Sequence, residues 1–179
     1  LIGALTDSSS MGASDLYRNF ERVRLNDGNS SWTITSGDEA LTWIDALGSS
    51  DTDVLMGALS DSSDIGVSSL YRNFEQVELT SGGDIWTVTS GDSALTQINA
   101  GGGADTLRVN TDQQIEAQSF DAYASFETLR VLDGVVDLGT HSLTWNGTYI
   151  QEADATLSLL ATTNGVVAPR LSATQIQLT

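Results

Sequence analysis

The segment Leu70-Tyr71-Arg72-Asn73-Phe74-Glu75-Gln76-Val77-Glu78-Leu79 repeats Leu16-Tyr17-Arg18-Asn19-Phe20-Glu21-Arg22-Val23-Arg24-Leu25 at an interval of 54 residues, and a worn copy, Tyr123-Ala124-Ser125-Phe126-Glu127-Thr128-Leu129-Arg130-Val131, follows about 52 residues later. Recurrence at such a period marks a repeat architecture, in which each unit buries its apolar side chains against its neighbours. Residues 1–54 laid on 55–108 match at 32 positions, among them Asp7-Ser8-Ser9 on Asp61-Ser62-Ser63 and Trp32-Thr33 on Trp86-Thr87. The units run over 1–54, 55–106 and, degenerate, 107–157, with 158–179 continuing or capping them. The whole is expected to be a single segment of a longer protein.

Within each unit the pattern is strand, turn, strand. Phe74 to Leu79 alternates apolar and polar residues, Ile85-Trp86-Thr87-Val88-Thr89 is β-branched and aromatic, and Gly, Ser, Asp and Asn punctuate the chain every eight to twelve residues. A competing helix over Leu70, Tyr71, Phe74 and Val77 would carry Ser68 as its N-cap, but the third copy keeps strand alternation better. A period of 54 suits two solenoid coils of about 27 residues or three of about 18. The expected fold is therefore all-β, a right-handed parallel β-helix, with Phe20, Phe74 and Phe126 in equivalent core positions beside Tyr17, Tyr71 and Tyr123. Trp32 and Trp86 join that core, and Leu138 replaces them in the third unit. Arg18 with Glu21, and Arg72 with Glu75, are three residues apart, close enough for a weak surface pair, but a solubilising face is the expected role.

Charge narrows the partners. The net charge is -17, from 24 acidic residues against seven Arg, and Lys is absent. Phosphate binding needs clustered cations, so nucleic acid is not an expected partner. There is no Cys, which removes disulfides, thiolate metal sites and cysteine chemistry. No apolar run approaches the roughly 18 residues of a membrane span.

The sharpest local motif is Gly101-Gly102-Gly103-Ala104-Asp105-Thr106-Leu107. It resembles the nonapeptide of the secreted calcium-binding RTX repeats, Gly-Gly-x-Gly-x-Asp-x-hydrophobic-x. Gly48-Ser49-Ser50-Asp51-Thr52-Asp53-Val54-Leu55 is a second version, in which Asp51 stands where Gly belongs. The resemblance implies calcium, a hard cation taking oxygen ligands, at Asp51, Asp53, Gly103 and Asp105. In that family the ion is shared between tandem nonapeptides, whereas each motif here stands alone.

Across about Leu16 to Leu157, the succession Phe-Glu-x-Val-x-Leu, Gly turn, Trp-Thr-Ile/Val-Thr looks like the passenger regions of autotransporters and other large secreted bacterial adhesins. That resemblance implies an extracellular or cell-surface location and a non-catalytic structural or adhesive rod, partnered by further copies of itself or by another surface or matrix component. The alternative is a polysaccharide-active β-helix enzyme, a lyase or hydrolase, which would need converging carboxylates. The single His141 has no partner motif for nucleophilic chemistry.

Overall fold

The structure is a computed structural model and describes residues 1–9, 20–26, 28–47, 52–66, 68–158 and 169–179, with the backbone alone at 111–113. Its strands in chain order are β1 (Arg22–Arg24), β2 (Ser31–Thr33), β3 (Trp43–Asp45), β4 (Val54–Met56), β5 (Tyr71–Arg72), β6 (Gln76–Glu78) and β7 (Ile85–Thr87), followed by β8 (Gln97–Asn99), β9 (Thr106–Glu116), β10 (Tyr123–Ala124), β11 (Thr128–Asp137), β12 (Leu143–Ser158) and β13 (Leu171–Leu178). Three short 3-10 turns span Ser36–Ala40, Ser90–Ala94 and Ala117–Ala122. The chain divides into two compact units, 1–80 with 89–99, and 81–88 with 100–179.

In the first unit the strands are short because Gly, Ser and Asp turns interrupt them, and each three-residue strand buries its central side chain. Val23, Trp32, Ile44, Leu55, Val77 and Ile98 are these central residues, all at most 1% exposed. Strands β1-β3-β5 form one parallel ladder and β2-β4-β6-β8 another. Val23 lies opposite Ile44, and Ile44 opposite Tyr71; Trp32 faces Leu55, which faces Val77, which faces Ile98. Like therefore stacks on like across parallel strands, since the side-chain period of two puts one face inward.

The second unit carries the longer strands in the parallel order β7-β9-β11-β12-β13. Its central row runs Trp86, Leu107, Leu129, Tyr149, Ile176. The first four are buried, and Ile176 on the last strand is exposed. All named pairings are parallel, and the protein is all-β with open sheets.

The repeated motif resolves into four jobs. Tyr71 enters β5, Asn73 turns the chain at φ 58°, Phe74 drops into the core, and Gln76 opens β6. Ser125 repeats the turn at φ 63° ahead of buried Phe126. Asn tolerates this left-handed conformation better than most residues, and the break at Asn73 is what excludes the competing helix.

Phe74 and Phe126 occupy the expected buried positions, as do Trp32, Trp86 and Leu138. Phe20 does not: it is 41% exposed. It precedes β1, the terminal strand of its ladder, whose outer side among the described residues meets only a bridge from Ile2 to Arg24. Tyr17 and Arg18 lie outside the described residues. Arg72 and Glu75 have separate partners: the Arg72 Nε–H donates to the Ser69 carbonyl and the Glu75 carboxylate accepts a backbone N–H from Asp53.

Candidate functional site

Two buried carboxylates organise the first unit. Asp38 is 1% exposed and accepts from the hydroxyls of Ser8 (2.5 Å) and Thr35 (3.2 Å), from the Trp32 indole N–H (2.8 Å) and from the Tyr71 phenol (3.0 Å). Thr35 caps the 3-10 turn that positions Asp38, its Oγ1 accepting the Gly37 N–H at 3.3 Å. Gly37 leaves room for the serine, since a Cβ there would stand 2.6 Å from Ser8 Oγ. The second copy repeats the arrangement: Asp92 accepts from Ser62 (2.6 Å) and Thr89 (3.0 Å), and a Cβ at Gly91 would again lie 2.6 Å from the serine oxygen.

These contacts explain why Asp-Ser-Ser and Thr-Ser-Gly-Asp persist together in both copies. Asp7 and Asp61 close the serine turns, each held below its ordinary pKa by the side chain and backbone N–H of Ser9 or Ser63. Burial, and then the Asp38 charge, raise the Tyr71 phenol pKa. Ser8 and Ser62 each donate to a buried carboxylate rather than to a histidine, and His141 is an exposed turn residue whose backbone N–H donates to the Leu138 carbonyl.

The proposed metal residues have a definite mechanical task. Asp53 Oδ1 accepts the Ser30 N–H at 2.6 Å, its own N–H donates to Glu75 Oε2 at 2.9 Å, and its carbonyl receives the N–H groups of Glu75 and Gln76. Asp105 does the same with Asp84 (2.7 Å), Glu127 (2.7 Å) and the N–H groups of Glu127 and Thr128. The Glu of the second and of the third Phe-Glu motif thus clasps an Asp 22 residues earlier, tying one strand level to the next. Such charge-assisted bonds are the stronger kind.

Gly103 sits at φ 153° beside this clasp, where a Cβ would collide with the Gly82 carbonyl. Asp51 lies outside the described residues. Asp53 and Asp105 belong to different units. Among the described residues no three His, Asp or Glu side chains gather as a metal ion would require. One carboxylate oxygen of Asp105, Oδ2, is buried without a hydrogen-bond partner among the described residues.

Sequence reasoning missed a cleft in the second unit. About 600 Å³ in volume, it has a floor of Phe120, Phe126, Leu143 and Trp145 and a rim that includes Asp121, Glu127, Thr144 and Asn146. The volume falls in the range of small-ligand sites, roughly 300–1,000 Å³. Phe120 meets Trp145 edge to face with centroids 6.4 Å apart, and the buried Trp145 indole N–H has no acceptor among the described residues. Spread over Ala117 to Asn146 in non-repeated sequence, the cleft left no periodic trace.

What these elements define is an all-β protein of stacked parallel ladders, linked level to level by buried carboxylates. Compared with protein-family models, curated proteins and solved structures, the chain matches none.

Proposed function

We propose that this chain is a segment of a right-handed parallel β-helix, a non-catalytic structural and adhesive rod of a secreted or cell-surface bacterial repeat protein. The observation that carries the reading is a mismatch of periods. Paired strands in the first unit are separated by 21 to 27 residues, as in Val23 to Ile44 and Ile44 to Tyr71, and most often by 21 to 23. A 54-residue copy is then about two and a half coils of a solenoid, so equivalent residues should alternate between sheets. Val23 and Ile44 lie in the β1-β3-β5 ladder, while their counterparts Val77 and Ile98 lie in β2-β4-β6-β8.

Self-association into filaments or layers belongs to the same reading, as unpaired strand edges favour it. Calcium stabilisation at Asp51, Asp53 and Asp105 is the part carried by the RTX resemblance alone. The clasps supply an ordinary structural reason for two of those carboxylates. A crystal structure tests the rod: successive strands are expected to climb one axis at about 4.8 Å per level. Ladders that do not stack along a common axis overturn the reading. A chelator that leaves the melting curve unchanged removes calcium from it.

The polysaccharide-active alternative is favoured by the cleft, where Asp121 and Glu127 share one crevice. Glu127 Oε2 already accepts the Asp105 N–H, which argues for a fixed structural carboxylate rather than a free acid or nucleophile. Hydrolysis or eliminative cleavage of a polysaccharide panel, lost in Asp121→Asn, would establish the enzyme instead.

A further inference from the structure

Three of the seven Arg converge on one indole. The guanidinium carbons of Arg22, Arg24 and Arg72 stand 5.9, 5.8 and 5.5 Å from the centre of the Trp43 ring. The register explains the convergence: Arg22 lies opposite Trp43, while Arg24, Asp45 and Arg72 form one row across β1, β3 and β5. Because side chains alternate, burying Val23, Ile44 and Tyr71 on one face places this group on the other.

Stability alone does not account for the group. The chain carries 24 acidic residues to neutralise seven Arg, yet the one carboxylate in this row is Asp45. Its Oδ1 accepts from Asn73 at 2.6 Å and from the Leu47 N–H at 3.1 Å, and its Oδ2 is 3.6 Å from Arg24 Nη2. Like charges held side by side on a sheet repel. Cation–π attraction to the indole offsets part of that and holds the three guanidinium groups around one ring.

A cation–π contact consumes none of the five N–H donors of a guanidinium. Arg72 uses Nε on the Ser69 carbonyl, Arg24 is half exposed, and Arg22 has no hydrogen-bond acceptor among the described residues. The result is a cluster of guanidinium donors for carboxylates, which guanidinium groups bind in bidentate fashion.

We propose that this face binds a linear acidic polysaccharide through its carboxylates. Arg22 and Arg24 are about 7 Å apart along a strand, and Arg24 and Arg72 about 10 Å apart across two, a flat array suited to an extended polymer. Charge density decides between polyanions. A net charge of -17 opposes the approach of duplex DNA, with one charge per roughly 1.7 Å. A polyuronate with one carboxylate per sugar meets less opposition. The proposal names the ligand of the adhesive reading and fails separately from it, since a rod that binds no polyuronate is still a rod.

The test is calorimetric titration of the whole chain with oligogalacturonate, beside neutral dextran and duplex DNA, with sedimentation to follow self-association. Oligogalacturonate should bind, weaken as salt rises, and lose about tenfold or more in affinity in the double variant Arg22→Gln/Arg24→Gln. Trp43→Leu, which keeps the charges and removes the ring, should lose less. Circular dichroism checks that the variants fold, and the unaltered protein is decisive by itself. Absence of oligogalacturonate binding, equal binding of dextran, or tighter binding of DNA overturns the proposal. So does undiminished binding by the folded double variant. Self-association abolished by that variant without any polysaccharide binding reassigns the face to a second copy.

Discussion

Replacing Asp38 by Ala should be among the most damaging single changes in the first unit. Four donors converge on this carboxylate, and two of them cannot reach water: Trp32 is 0% and Tyr71 3% exposed. Leaving a buried donor unsatisfied costs about 1–3 kcal/mol, so these two alone account for roughly 2–6 kcal/mol. The Ser8 and Thr35 hydroxyls can still bond each other, 2.5 Å apart, and add little. Asp38→Asn keeps an oxygen for the indole and the phenol while the hydroxyls rotate to accept from the new amide, at a cost near 1 kcal/mol.

Urea unfolding followed by tryptophan fluorescence distinguishes the two variants. With a denaturant slope of about 2 kcal/mol/M, Asp38→Ala should lower the midpoint by roughly 1–3 M and Asp38→Asn by about 0.5 M. Equal losses in the two variants, or a loss under about 0.5 kcal/mol in Asp38→Ala, would refute the view that the carboxylate holds this unit together through its buried donors.

Glu127→Ala should cost about 1–3 kcal/mol by leaving the Asp105 N–H without its acceptor, and Glu127→Gln clearly less; the urea midpoints of the pair check the clasp. Gly91→Ala should cost about 1–3 kcal/mol, because its Cβ would meet Ser62 Oγ at 2.6 Å, and an unchanged melting temperature would show that the serine moves freely. Alkaline unfolding should begin near pH 10. Burial raises the Tyr71 phenol above its ordinary 10.0 and pushes Tyr149 up to about 12. The folded state then holds these protons where the unfolded state releases them, so stability is intact below about pH 10 and declines above it. Tyr71→Phe should make that decline shallower in midpoints measured from about pH 9 to 12.

The duplication was legible because identical residues face identical packing demands. Tyr71, Phe74 and Val77 stand out through the burial that retains them, and Trp32 and Trp86 likewise. Phe20 misled because sequence identity says nothing about position at a ladder's edge. The roles of Glu75 and Glu127 were hidden for another reason: a clasp to a backbone N–H leaves no side-chain signature in its partner. Their constant spacing of 22 from Asp53 and Asp105 was the available clue. Taken alone, the same Asp residues suggest cation ligands, since a carboxylate suited to a metal is equally suited to a backbone donor. Asp38 was obscured by its polar setting, because Ser-Gly-Asp normally denotes an exposed turn. The Arg–Trp43 face followed from strand pairing, which brings residues 22, 43 and 72 together although nothing in their order does.

The mismatch between a 54-residue copy and a strand-pairing interval of about 22 residues would act as a vernier. In the proposed solenoid, one added copy advances the chain by a half-integral number of turns, so everything after it changes sides. A second added copy restores the original facing. Growth by single duplications would present any surface feature on alternate flanks of the stem, and growth by pairs would keep it on one. The Arg–Trp43 cluster shows the same phase being used: the second copy has Gln97 where the first has Trp43, and Gln76 and Glu78 where it has Arg22 and Arg24. In the proposed solenoid the basic face would thereby lie on one flank of the duplicated pair.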